Sequence, residues 1–130
     1  MGFASELKAF EKTVVTSSES VIEKVFVKAS NHIINKTPYL TGLARSNWFS
    51  KLNDYSDEKT TETRAKLKRK KEAAETAKRF KLGGFITLTN NLPYIERLEN
   101  GWSKQAPVGM VKVAYSLLNR WIETEVRKLK

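Results

Sequence analysis

Between Leu7 and Ile33 apolar side chains return at steps of three or four residues: Leu7, Phe10, Val14, then Val21, Val25, Ala29 and Ile33. That period places them on one stripe of an α-helix, which Val15, Ile22 and Phe26 widen. The spacing predicts a long amphipathic helix over residues 5–35, with Ser5 as its cap and a weak turn at Ser17-Ser18. Thr37-Pro38 ends it, because the residue before a proline is sterically driven out of the helical region. Valines and serines are indifferent helix formers, so this helix depends on packing its stripe against another layer.

The far end of the chain supplies a second stripe. Val111, Ala114, Leu118, Trp121, Ile122, Val126 and Leu129 predict a helix from about Pro107 to Leu129. Two shorter segments alternate instead. Ala44 to Leu52 reads as a strand with Ala44, Ser46 and Trp48 on one face and Arg45, Asn47 and Phe49 on the other. Aromatic residues on both faces predict partial cover on both sides. Phe85 to Thr89 reads as a second strand, placed after Gly83-Gly84 and stopped by Asn90-Asn91. Pro93 to Asn100 reads as a short helix with Asn91 as its cap and Gly101 past its end.

Residues 53–81 differ from everything around them. From Asp57 to Lys81 there are ten Lys or Arg against five Asp or Glu, about half of the chain's excess charge, and Lys66, Lys68, Arg69, Lys70 and Lys71 fall within six positions. Helix-favouring residues dominate from Thr63 on, yet apolar groups are few. The segment is either a weakly docked, exposed helix or one that orders on binding. The expected fold is therefore α+β: two long amphipathic helices packed on a small antiparallel β-sheet, with a short helix and a basic, partly helical insert. Residues 1–130 form a single domain and residues 53–81 are an insertion between its strands. A third strand is expected in residues 53–62 or from a neighbouring subunit, because two strands alone are marginal.

Little in the sequence points to catalysis. The chain has no cysteine and one histidine, which excludes disulfides, thiol chemistry and multi-histidine metal sites. His32 reads as a partly buried, hydrogen-bonded residue of the first helix rather than a general base. Gly83-Gly84 lacks the Lys-Ser/Thr of a phosphate loop. Glu96 and Glu99 share a face of the short helix and are the one pair of carboxylates that a metal-dependent nuclease reading has to use. No cofactor and no metal are expected, and no apolar run approaches the roughly 20 residues of a bilayer span. MGFASELKAF has no basic start followed by an apolar block, so no signal peptide is expected. The formal net charge of +10 directs attention to polyanions or acidic protein partners.

Two stretches carry a more specific pattern. One is TPYLTGLARSNW, residues 37–48, and the other is NNLPYIERLENGWSKQAPVGMV, residues 90–111. Together they resemble the small virion proteins of tailed bacteriophages that act as neck, head–tail connector or tail-completion subunits. The resemblance rests on Pro38, Thr41, Gly42, Arg45 and Trp48 in the first stretch. In the second it rests on Pro93, Tyr94, Leu98, Glu99, Gly101, Ser103, Gln105, Ala106, Pro107 and Gly109. The motifs cover about a quarter of the chain directly; residues 59–81 carry nothing over. The resemblance implies a non-enzymatic subunit of a six- or twelvefold homo-oligomeric ring between portal and tail. It implies assembly in the host cytoplasm into the virion, portal or adaptor and tail proteins as partners, and passage of double-stranded DNA through the lumen. It implies no membrane partner.

Bottom-up, Asn90 to Met110 then reads as an assembly surface, with Tyr94, Arg97, Glu99, Trp102, Ser103, Gln105 and Pro107 at a subunit interface. Trp102, an aromatic in a loop, is its expected anchor. Lys66, Lys68, Arg69, Lys70 and Lys71 are expected to meet DNA or an acidic partner. The alternative from another class is an accessory protein that binds nucleic acid without sequence preference. It predicts tight binding with a steep salt dependence.

Overall fold

The structure, a computed structural model, describes residues 3–129. The long helix α1 spans Phe3–Lys36, so it has already begun before Ser5, the residue expected to cap it. A 3-10 turn, Arg45–Asn47, leads into strand β1, Trp48–Leu52. Helix α2 covers Lys66–Lys78, and strand β2 covers Ile86–Asn90. The short α3 is Ile95–Glu99 and the last helix, α4, is Val111–Arg127. The two strands pair antiparallel from Trp48↔Asn90 to Leu52↔Ile86, and α1 packs on both α2 and α4. This is the expected α+β arrangement.

Three further details depart from the sequence reading. The first strand starts at Trp48, not Ala44, because Ser46 Oγ donates to Gly42 O and Asn47 Nδ2 to Leu43 O; these side chains tie the backbone into a turn. No third strand is present among the described residues. Residues 54–60 instead run beside β2, held by side chains: Thr87 Oγ1 donates to Asp54 O, and Asn91 Nδ2 to Ser56 O and Glu58 O. Asn91 is therefore engaged with this segment and does not cap α3. At the far end of this segment the carboxamide of the buried Asn47 pairs with both main-chain groups of Thr60.

The basic insert is also better seated than its composition suggests. Ala65, Ala73, Ala77 and Phe80 are buried, and α2 lies against β1. Arg69 is 4% exposed. Its guanidinium stacks on Phe49 at 4.2 Å, its Nε donates to Ser46 O at 2.7 Å, and Glu72 lies 2.9 Å away. Paired and hydrogen-bonded in this way, an arginine can be taken out of water.

The core centres on Ile33, Ile34, Trp48, Ala106, Met110 and Ala114, with Leu88, Ile95, Leu98 and Trp121 packed around it. Trp48 and Phe49, on opposite faces of β1, are both buried, so the strand is covered on both sides as expected. Between the terminal helices the covered side chain of Glu125 accepts from two partly exposed lysines, Lys28 at 2.9 Å and Lys128 at 3.2 Å. The Lys28 hydrogen bond holds the Glu125 carboxyl below its ordinary range, against the opposing effect of burial. His32 sits edge-on to Trp121, 5.6 Å between centroids, and its Nδ1 has no hydrogen-bond partner.

Candidate functional site

The first of the two sequence motifs closes the C-terminal end of α1. Thr37 is fully buried; its hydroxyl donates to Ile33 O at 2.7 Å and accepts from Trp48 Nε1 at 2.9 Å. Arg45 lies in the 3-10 turn, not on the strand where its position in the motif placed it. From there Nε donates to Thr37 O at 2.7 Å and one terminal nitrogen donates to Asn35 O at 3.2 Å. Carbonyls at a helix C-terminus lack partners within the helix, and a cation there also meets the negative end of the helix dipole. Gly42 allows the turn: its φ is +94°, and a side chain there would strike the Thr63 carbonyl.

The second motif closes α3 and opens α4. After Glu99 the chain passes through Asn100 to Gly101, whose φ is +86°. Gly101 N donates to Leu98 O and Trp102 N to Arg97 O, both at 3.1 Å. These two bonds form a Schellman motif, which brings the residue two past the helix end back over the last turn. The residues so juxtaposed are Trp102 and Arg97, and the Arg97 guanidinium lies 5.0 Å from the indole centroid. Trp102 is nonetheless 72% exposed.

Glu99 points the other way. Its carboxylate accepts from the backbone N–H groups of Met110, Val111 and Lys112, each at 2.9 Å. It caps α4 from eleven residues upstream, and α4 begins at Val111 rather than near Pro107 because the donors gathered by Glu99 define that start. Burial raises the Glu99 carboxyl pKa, but the three N–H donors and Lys112 outweigh it and hold the group below its usual value. Glu99 is thus a structural cap, and with Glu96 exposed on α3 the two do not form a paired carboxylate site. Among the described residues no three His, Asp or Glu side chains come together to hold a metal ion.

Gln105 joins the two motifs. Its Oε1 accepts from Tyr39 N at 2.7 Å and its Nε2 donates to Tyr39 O at 2.9 Å, so one side chain pairs with a main-chain residue as a strand would. Ser103 Oγ accepts from Gln105 N at 3.2 Å and steadies the loop. Between the joined loops lies a hollow of about 590 Å³. Tyr39, Leu40 and Leu43 line one side; Tyr94, Leu98 and Trp102 line the other. Leu40 is 92% exposed. The guanidinium of Arg45 lies 5.3 Å from the Tyr39 ring centroid, mirroring Arg97 on Trp102. Of the residues expected at an interface, Tyr94, Trp102, Ser103 and Gln105 line this hollow and Arg97 edges it; Pro107 is exposed on the same loop.

The five bases of the insert separate. Arg69 is internal and is withdrawn from any surface contact. Lys68 lies 3.9 Å from Glu62. Lys70 Nζ donates to Asn35 Oδ1, the residue whose main-chain carbonyl binds Arg45. Burial first, then Lys66 and Arg45, lowers the Lys70 pKa. Lys66, Lys70 and Arg45 therefore form one cationic group at the end of α1, beside the aromatic hollow. Lys71 is exposed. Sequence reasoning did not find the part played by Tyr39 and Leu40, because their partners lie some sixty residues away in the chain.

Comparison of the chain with protein-family models, with curated proteins and with solved structures gives no significant match.

Proposed function

We propose that this chain is a non-enzymatic structural subunit of a tailed-phage virion, placed in the neck between portal and tail. It would assemble in the host cytoplasm as a six- or twelvefold ring around the DNA conduit. The observation that carries the reading is the convergence of the two resembling motifs on one exposed hollow. Tyr39, Tyr94 and Trp102 with Arg45 and Arg97 have the composition of an interaction hot spot. Residues that would be expensive to expose for no purpose are held rigidly outward there by a Schellman motif and a two-bond carboxamide bridge. A neck subunit has to fit neighbours whose surfaces differ from its own, and a preorganised loop serves such a heterologous contact well. Contact with DNA would be through Lys68 and Lys71, both exposed on α2, and independent of sequence.

The second reading, an accessory protein binding nucleic acid without sequence preference, draws on the same lysines and the net charge of +10. Light scattering on the purified chain at low and moderate salt separates the two. The neck reading expects a mass of six or twelve times 14.9 kDa. A monomer that binds duplex DNA with a steep salt dependence favours the accessory reading.

A further inference from the structure

The hollow between the Tyr39 and Trp102 loops has an apolar floor, and none of its lining residues is acidic. Four cations lie near it. Arg45 lies against Tyr39 and Arg97 against Trp102; Lys70 shares Asn35 with Arg45, and Lys66 is one helical turn before Lys70 on α2. Among the described residues none of the four has a carboxylate within the 4.0 Å of an ion pair; the acids nearby are committed elsewhere. Glu99 is turned onto α4, and Glu62 onto Arg69 and Lys68. The like charges of Lys66, Lys70 and Arg45 act on one another without a counter-charge of the chain's own.

We propose that this hollow is the docking site for a segment of a partner protein that carries one or two bulky apolar side chains flanked by Asp and Glu. The inference rests on the reading of the chain as an assembly subunit and names what its groove receives. Two features favour a polypeptide over nucleic acid. A hollow of about 590 Å³ matches a few side chains and is too confined for a duplex. Tyr39 and Trp102, two of the three aromatic rings on the lining, also each have a face against a guanidinium, which leaves less ring surface for the stacking that binds bases. Carboxylates flanking the anchor would meet Arg45 and Lys70 on one side and Arg97 on the other. Charges so placed raise the on-rate and reject basic partners as well as adding affinity.

The test uses the full chain and a fluorescein-labelled dodecapeptide with a central Leu-Trp pair flanked by Glu and Asp. Its counterpart has lysine at every acidic position, and oligothymidine and a short DNA duplex serve as competitors. Anisotropy is read at moderate salt, with light scattering on the same samples. The acidic peptide is expected to bind and the basic one not to. Trp102→Ala and the double change Lys66→Glu/Lys70→Glu should each weaken binding by about tenfold or more. Trp102 is exposed and the two lysines are only half-buried on α2, so circular dichroism should show folded variants. Equal binding of both peptides, or no binding of either, overturns the proposal. So does displacement of the acidic peptide by either nucleic acid, or an oligomer that Trp102→Ala dissolves, which would seat a second copy in the hollow. A ring that forms while the acidic peptide fails to bind removes this inference and leaves the neck reading standing. Peptide binding by a chain that never enters an assembly does the reverse.

Discussion

At the scale of single residues, the capping of α4 is done at long range. Glu99 supplies acceptors to three consecutive N–H groups that Met110, at the N-cap, cannot satisfy with its own side chain. Glu99→Ala should lower stability by about 1–2 kcal/mol, the usual cost of losing an N-cap, and Glu99→Gln by less because the amide oxygen still accepts. Chemical denaturation of the two variants measures both. The sign of the pH dependence follows from the lowered pKa. The folded form binds a proton at Glu99 less readily than the unfolded form, so its stabilising effect is complete above the ordinary glutamate value near 4.5 and fades as pH falls through the lower folded value. Thermal melts of wild type should therefore fall more steeply below about pH 4.5 than those of Glu99→Gln. None of this could be read in the sequence, where Glu99 is merely the acid that ends a short helix. The Gly101 stop, by contrast, was legible, because only the left-handed backbone conformation there reconciles a helix end with a reversal of the chain.

Among the elements, α1 divides into two parts. From Val15 onward its stripe is at least partly covered by α2, α4 and the sheet, but Leu7, Phe10 and Val14 are exposed, Phe10 at 68%. Apart from the weak turn at Ser17-Ser18 the periodicity gave no sign of this division, since a stripe reports the presence of a face and not the length of what covers it. Removal of residues 1–13 should consequently leave the rest folded, with a melting temperature within a few degrees of the parent. A large drop would mean that the arm supports the body. The two strands and both long helices were legible because their periods are set locally. The burial of α2 was not, since Arg69 is in a run of lysines and only its three-dimensional neighbours Phe49, Ser46 and Glu72 distinguish it. The 3-10 turn was hidden for a similar reason: Ser46 and Asn47 alternate like strand residues, but their side chains bond back to Gly42 and Leu43.

For the whole molecule, charge and topology set the terms. A net +10 on 130 residues repels itself, and Arg45, Lys66 and Lys70 concentrate that repulsion at one end of α1. Added salt should raise the melting temperature by a few degrees, and Lys66→Glu/Lys70→Glu should reduce that gain; calorimetry at low and high ionic strength checks both. The groove, for its part, is closed by the bridge between Tyr39 and Gln105, partners separated by 66 positions. Contacts so distant in the chain must overcome the entropy of a long loop and form after local helices have appeared. A chain still being synthesised can thus show its lysines, and even α1, well before residue 105 exists, but it cannot show the hollow. Whatever docks there recognises completed subunits alone, so the order of assembly is enforced by the time the chain takes to finish folding.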